Sequence, residues 1–355
     1  MKEKIAVLAI TKNGIKIAEI IKKNIPTSNI YVPHKFYYDN ADIVWFEEST
    51  QNKIIDLFRT YDAIICIFSL GAVIRLISHL LVDKRTDPAI VVIDDKANFV
   101  ISTLSGHLGG ANALARYIST FLNSTPVITT AADVNKTISV DLIGHELGWI
   151  INNYENVTQV SAHMVNNERI ALFQDTGEES WWDLTKLPSN VFKVKDLESI
   201  KDESFKGGLV ITDKIITDST ILHKSVIYRP KSLVVGIGLH WDTTKEEILD
   251  GIRNIFDKNG LSFDSIKCLS SFKKNIRIKG LDEFSKDYNI PLFLFDKDQL
   301  ERISVPNPSD IVKKYEGIVS VSEASSLICS KGNLLIPKQK FPPNLTIAVA
   351  RMNWT

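Results

Sequence analysis

Short, unbroken apolar runs alternate with amphipathic stretches along the first 135 residues. Ile5–Ile10 is apolar at every position and leads into a turn at Asn13-Gly14. Ile17, Ala18 and Ile21 then share one face of a helix predicted over 15–25. Ile30–Val32, Ala63–Phe68, Ile90–Ile93 and Val127–Thr130 are further strand-like runs. A strand that is apolar throughout has both faces buried, as in a parallel sheet covered by helices. Residues 1–136 are therefore expected to form an open α/β domain.

The pattern changes after Thr137. Helical spacing is read over Ser139–Trp149 and Asn156–Asn167, and short strands over Ile170–Gln174 and Leu209–Thr212. The stretch between them is polar and carries Glu178-Glu179, Trp181-Trp182 and Pro188. Residues 137–230 read as a small α+β region. Its tryptophan pair suits a core or interface, or stacking on a flat ligand.

A third region, 231–355, opens on a short strand that leads into Gly236-Ile237-Gly238. Thr243 and Glu246 read as a capping box for a helix with Ile248, Leu249, Ile252, Ile255 and Phe256 on one face. Asn259-Gly260 should end it in the left-handed conformation. Strands follow over Leu292–Phe295, Leu334–Ile336 and Thr346–Val349, with a helix over Ser320–Ser330. The fold class is thus α/β: two open α/β domains flanking a small α+β middle region.

Composition narrows the function. Of the 355 residues, 44% are hydrophobic and 24% charged, which suits a folded chain rather than a disordered one. Lys plus Arg and Asp plus Glu both number 42, so the chain is a poor candidate for general nucleic-acid binding, with local basic patches left open. Ala63–Val82 is long enough to raise the question of a membrane span. Arg75 near its centre would cost about 2.5–3.5 kcal/mol there, and Gly71 divides it into a strand and a helix. The apolar core at the N-terminus is too short for a signal peptide. Cys66, Cys268 and Cys329 lie far apart without a CxxC pair, so neither a disulfide framework nor a zinc site is expected, and the cytoplasm is the expected location.

The distinctive chemistry lies in Ser102–Asn112, STLSGHLGGAN, between the strand-like Phe99–Ile101 and a helix. Free N–H groups and the dipole at a helix start favour an anion. Gly109 and Gly110 would let a ligand approach the backbone, or simply let helix and strand pack closely. The segment matches neither a Walker A loop nor GxGxxG. His107 could act as general base or acid, or hold the turn by hydrogen bonds. Thr129, Thr130 and Asp133 follow another strand, where open α/β sheets place ligands; they would equally cap the next helix. Arg75, Lys84 and Arg85 supply cations beside a turn, for which solvated surface charge is the plainer role. In the last region, Gly236-Ile237-Gly238 is a GxG without its third glycine. Four cations fall within 273–279 (Lys273, Lys274, Arg277, Lys279), enough to hold a polycarboxylate or to form a solvated face. Glu323 sits where a helix start favours a carboxylate. The remaining histidines are scattered, and no metal site is expected.

The run DPAIVVIDDKANFVISTLSGHLGGANALARYISTFLNSTPVITTAAD resembles the N-terminal signature of the cobalamin-biosynthesis G proteins, the CbiG family. Gly71-Ala72-Val73-Ile74-Arg75 and Asp83-Lys84 are similar to upstream elements of that family, and VVGIGL, VSEASSLI, NLLIPKQK and TIAVAR to its last domain, in order. The middle region matches by position alone. Ser271 and Gly280-Leu281 align with a family pattern in which Asn275 and Ile278 stand where Lys and Glu are usual.

The resemblance implies a cobalt-precorrin-5A hydrolase of anaerobic cobalamin synthesis. Water would open a δ-lactone on a cobalt corrinoid, and acetaldehyde would leave. On that expectation His107 and Ser105 are catalytic. Gly106, Gly109, Gly110, Asn112, Arg75, Lys84, Thr129, Thr130, Asp133, Gly236, Gly238, Ser271, Lys273, Lys274 and Glu323 bind substrate. The macrocycle would be shared by the two glycine-rich turns, at 105–110 and 236–238. Cobalt would arrive inside the substrate, so no separate cofactor is expected. Partners would be the corrinoid and other enzymes of the pathway, with no nucleic acid and no membrane. A non-catalytic corrinoid carrier and a generic nucleotide-binding protein are the alternatives.

Overall fold

Continuous apolar runs become central strands, as burial on two faces requires. The structure is a computed structural model and describes residues 4–182, 186–274, 276–308 and 320–354. It divides into two compact units, 1–142 and 143–355. Among the described residues no helix is long and apolar enough to cross a membrane.

The first unit runs β1 (Ile5–Ala9), α1 (Lys12–Asn24), β2 (Asn29–Pro33), β3 (Ile43–Phe46), α2 (Thr50–Thr60), β4 (Ala63–Ile67), α3 (Leu70–Ile77), β5 (Ala89–Ile93), β6 (Phe99–Leu104), α4 (Ala111–Leu122), β7 (Thr125–Val127) and α5 (Ala131–Val134). Its seven strands form one sheet in the order β3-β2-β1-β4-β5-β6-β7. Every residue of β1, β4 and β5 is buried. Alternate residues serve opposite faces. Ile5, Val7, Ile65 and Val91 pack with Ile17 and Ile21 of α1 and Leu114 and Ile118 of α4. Leu8, Ile64, Cys66 and Ile90 pack with Leu57 of α2 and Val73 of α3. Each such aliphatic side chain contributes about 1.5–3 kcal/mol on full burial.

The strand directions decide where the chemistry falls. β1 to β5 are mutually parallel, whereas β6 runs antiparallel to β5 and parallel to β7. The reversal is made by a tight turn. The Asp94 carboxylate accepts from the backbone N–H groups of Lys96 (3.0 Å) and Phe99 (2.6 Å), and Ala97 takes φ 55°. The carboxyl ends of β6 and β7 therefore emerge at the edge opposite those of β1 to β5.

Several boundaries differ from expectation. β3 and α2 are not among the expected elements. β7 ends at Val127, so Thr129 and Thr130 lie beyond it. The helix expected over 139–149 is replaced by one 3₁₀ turn, Val140–Leu142, and a looped segment. There Gly144 takes φ 68°, and a Cβ on it would fall 2.1 Å from the Trp149 ring. Packing of Trp149 overrides the helical periodicity.

The second unit holds two five-stranded sheets. The first is built from β8 (Ile150–Ile151), α6 (Val157–Val165), β9 (Ile170–Gln174), β10 (Val191–Lys193), β11 (Gly207–Ile211), α7 (Ser219–Lys224) and β12 (Ser225–Arg229), in the order β10-β9-β11-β12-β8. Only β8 is antiparallel to its neighbour among these strands. The second sheet comprises β13 (Leu233–Gly238), α8 (Lys245–Asn259), β14 (Ile266–Phe272), α9 (Lys279–Asp287), β15 (Leu292–Phe295), α10 (Lys297–Glu301), α11 (Val321–Ser330), β16 (Asn333–Phe341) and β17 (Leu345–Arg351). Its order is β15-β14-β13-β17-β16. Fully buried Asp213 links the two sheets, accepting from Arg351 Nη2 at 2.7 Å and from Ser232 Oγ at 2.9 Å. The capping box of α8 uses Thr244 and Glu247, one residue later than expected, while Gly260 caps it at φ 60° as expected.

Candidate active site

β6 ends at Leu104, and Ser105 turns the chain at φ 54°. The turn then folds onto itself. Ala111 N–H donates to Ser105 O (3.2 Å), Asn112 N–H to Gly106 O (3.0 Å) and Gly110 N–H to His107 O (2.8 Å). This corrects the expectation that the helix start offers free N–H groups to an anion, since the first two of α4 are satisfied internally. The glycines have local duties as well. A Cβ on Gly109 would lie 2.2 Å from Ser105 Cβ, and one on Gly106 would lie 2.7 Å from Asn112 Oδ1. Gly110 takes φ 83°, which glycine adopts without penalty. Ser105 is only 9% exposed, and its hydroxyl donates to Asp87 O at 3.0 Å. A catalytic hydroxyl there would first have to leave that bond.

Asn112 is the node of the site. Buried at the start of α4, it accepts from Ser102 Oγ at 2.6 Å and donates from Nδ2 to Thr130 Oγ1 and Asp133 Oδ2, both at 2.8 Å. It thereby joins β6, α4 and the turn after β7.

His107 sits between two carboxylates. Nε2 is 3.0 Å from Asp133 Oδ2, and Nδ1 is 3.3 Å from Asp141 Oδ1. Arg116 Nη2 holds the other oxygen of Asp133 at 2.9 Å. The side chains of His107 and Asp141 are 16% and 11% exposed, so solvent screens them weakly. The Asp141 carboxylate at Nδ1 raises the His107 pKa above its ordinary value; burial opposes this, and Asp133 adds to it. Burial alone would raise Asp141, but contact with His107, its own backbone N–H and the charge of Lys84 bring it below the usual carboxylate range. A neutral imidazole has one N–H and cannot donate to both carboxylates, so the geometry favours the imidazolium.

Of the expected residues, the fold brings His107, Asn112, Thr130 and Asp133 into one cluster. Lys84 reaches Asp141 through its charge. Thr129 is exposed, and Arg75 is exposed on α3 with Nη1 3.4 Å from Gly71 O. Sequence reasoning missed Asp141, Ser102 and Arg116. Asp141 was hidden within a stretch read as a helix.

The residues expected in the last sheet have other occupations. A Cβ on Gly236 would fall 1.9 Å from Ser322 O, and one on Gly238 2.5 Å from Thr346 Oγ1, so neither faces open space for a ligand. Ser271 donates to Ile237 O at 2.6 Å and is buried. Glu323 is fully buried, accepting from Asn307 N (3.1 Å), Asn307 Nδ2 (2.8 Å) and Lys338 N (3.0 Å). That corrects its expected contact with substrate, because both carboxylate oxygens organise the protein. Lys273 and Lys274 are near the end of β14; Lys274 Nζ donates to Leu239 O at 3.0 Å.

Comparison with known proteins matches the chain in three segments: "Cobalamin synthesis G N-terminal" over 53–133, "Cobalamin biosynthesis central region" over 138–230 and "Cobalamin synthesis G C-terminus" over 233–350. A relative from Priestia megaterium, named cobalt-precorrin-5A hydrolase, is 40% identical over 97% of this chain and 94% of its own. The chain belongs to the CbiG family. A cobalt-precorrin-5A hydrolase of Salmonella typhimurium strain LT2 is 28% identical over 94% of this chain and 93% of its own. Among solved structures, a cobalamin biosynthesis protein G homolog from Sulfolobus solfataricus is 24% identical, with coverage of 99% and 98% and a TM-score of 0.38. Within CbiG, the two departures noted in the sequence fare differently. Asn275 lies outside the described residues. Ile278 is 7% exposed and packs in the core of the last sheet, where a glutamate would bring a charge into apolar surroundings.

Proposed function

We propose that this chain hydrolyses cobalt-precorrin-5A to cobalt-precorrin-5B. Water adds to the δ-lactone carbonyl and the ring C–O bond breaks, giving a carboxylate and an alcohol on the two-carbon unit. As that alcohol loses its proton and becomes a C=O, the C–C bond to the macrocycle breaks, acetaldehyde leaves, and the macrocycle carbon keeps the electron pair and takes up a proton. The observation that carries the reading is the bracketing of His107 by Asp133 and Asp141. An imidazolium kept charged in this way becomes a donor for the oxyanion and an acid for the departing oxygen once one of its two N–H groups exchanges its carboxylate for the substrate. Asp141, kept ionised, takes the proton of the attacking water. His107 is thus assigned as acid rather than base, since it is already protonated when water attacks. Cobalt enters with the substrate, so the reading asks for no cofactor of the protein itself.

The test is incubation of the purified chain with cobalt-precorrin-5A while acetaldehyde is followed by a coupled aldehyde dehydrogenase. Stoichiometric acetaldehyde over many turnovers is expected. Tight binding of the corrinoid without acetaldehyde would make the chain a carrier and sink the hydrolytic reading.

A further inference from the structure

The sequence places Cys268 and Cys329 sixty-one positions apart, yet the fold brings their sulfurs to 3.2 Å. Cys268 lies on β14 and is 2% exposed; Cys329 lies near the end of α11 and is partly exposed. A second contact shows that the approach is set by the packing of strand against helix. Ser270 Oγ donates to Ser325 Oγ, and Ser325 Oγ to Ser270 O, each at 3.2 Å. Two residues along a strand advance about 6.6 Å, and four along a helix about 6 Å. Cys268–Cys329 and Ser270–Ser325 are therefore successive rungs between one face of β14 and one face of α11.

We propose that Cys268 and Cys329 form a reversible intramolecular disulfide by exchange with a small-molecule disulfide. The inference is independent of the hydrolytic reading. The partly exposed Cys329 is the attacking thiol. It loses its proton to solvent, and its thiolate attacks one sulfur of the small disulfide; that S–S bond breaks and a thiolate leaves to take up a proton. Cys268, deprotonated in turn, attacks the Cys329 sulfur and displaces the second small thiol. Two protein thiols and one small disulfide become one protein disulfide and two small thiols, with the electron pair passing to the small molecule. Closure needs the sulfurs to approach to about 2.05 Å, within reach of small side-chain rotations. Contact with Cys329 and burial push the Cys268 thiol up, whereas contact with Cys268 brings Cys329 down against its own burial, with the charge of Lys267 adding to the lowering, so that Cys329 is the thiol that ionises first. Cys66 is fully buried in β4, where burial pushes its thiol up, and serves as an internal control.

The test exposes the folded full chain to oxidised glutathione, quenches with acid, alkylates and maps peptides without reduction. A linked pair of peptides carrying Cys268 and Cys329 is expected, with Cys66 untouched until the protein is unfolded. In Cys268→Ser, a glutathione adduct should accumulate on Cys329. The oxidised wild type should melt roughly several degrees above the reduced form, because the bond closes a long loop, and dithiothreitol should reverse the gain. An adduct on wild-type Cys329 that never converts to the linked species would overturn the proposal. So would an unreactive Cys329 in Cys268→Ser, or a thermal midpoint that fails to rise on oxidation.

Discussion

Two segments of this chain set glycines between a strand and a helix, and the fold uses them in opposite ways: 105–110 is a turn beyond β6, whereas 236–238, expected as a turn, are themselves residues of β13. At 105–110 the glycines let the turn fold over Ser105 and present His107 to two carboxylates. At 236–238 the glycines are filled from outside, by the Ser322 carbonyl and the Thr346 hydroxyl. Glycine announces that something comes close to the backbone, without saying whether it is a ligand or the protein itself. Polar groups tell the two apart. The first turn gathers a histidine, two aspartates and an arginine that remain partly accessible. The second spends Ser271 and Glu323 on internal hydrogen bonds.

If that contrast is right, the largest effect comes from His107→Ala. Acetaldehyde release should fall about 10²–10⁴-fold, while the thermal midpoint shows that the fold survives. A rate within threefold of wild type would make His107 a structural residue. Gly236→Ala should do the reverse. Its new methyl meets a helix carbonyl 1.9 Å away, and overpacking of that kind costs about 1–3 kcal/mol. Chemical denaturation should show that loss, with kcat of the folded fraction unchanged. A selective rise in KM at unchanged stability would return Gly236 to substrate binding.

A pH series sharpens the account of the first turn. His107 is raised above 6.5, so its contribution to stability is full below 6.5 and is lost as pH rises through the raised value. Asp141 is lowered below 3.8, so its contribution is present above 3.8 and is lost as pH falls through the lowered value. The pair therefore supports the first unit best between these limits. If His107 acts as the acid, the rate should decline on the alkaline side. In Asp141→Asn that alkaline limb should move to lower pH, because the largest raising influence is gone. A limb that stays in place would separate Asp141 from the titration.

Much of this was legible beforehand, for physical reasons. β1, β4 and β5 are buried on both faces and so announce themselves as unbroken apolar runs. STLSGHLGGAN combines a histidine with glycines that only a special backbone needs. Other features depend on distance in space. Nothing local ties Asp141 to His107, and its neighbourhood has helical spacing that Trp149 packing against Gly144 overrides. The sequence Thr243-Thr244-Lys245-Glu246-Glu247 permits two capping registers. The fold selects the later one, because Thr243 Oγ1 instead accepts from His240 N at 3.2 Å. The cysteine pair was invisible for the same reason, since two lone residues acquire meaning only when a strand and a helix bring them together.

The smallest effect tests whether the last sheet contributes to substrate at all. Lys273 is 63% exposed and only loosely paired with Asp296, at 3.7 Å, so its charge is available to a ligand. Such an exposed pair is worth about 0–1 kcal/mol, and losing it should barely alter stability. If these cations attract the carboxylates of a corrinoid, replacing Lys273 and Lys274 together by Glu should raise KM several-fold and leave kcat within about twofold, the mark of lost uniform binding. The KM difference should shrink as salt is added, because screening weakens exposed charges. Lys274 also donates to Leu239 O, so Lys273→Glu alone provides the cleaner measurement. An unchanged KM in both variants would leave the basic run without a part in recognition, whereas a fall in kcat at unchanged KM would rule out uniform binding as its role and erase the contrast between the two glycine segments.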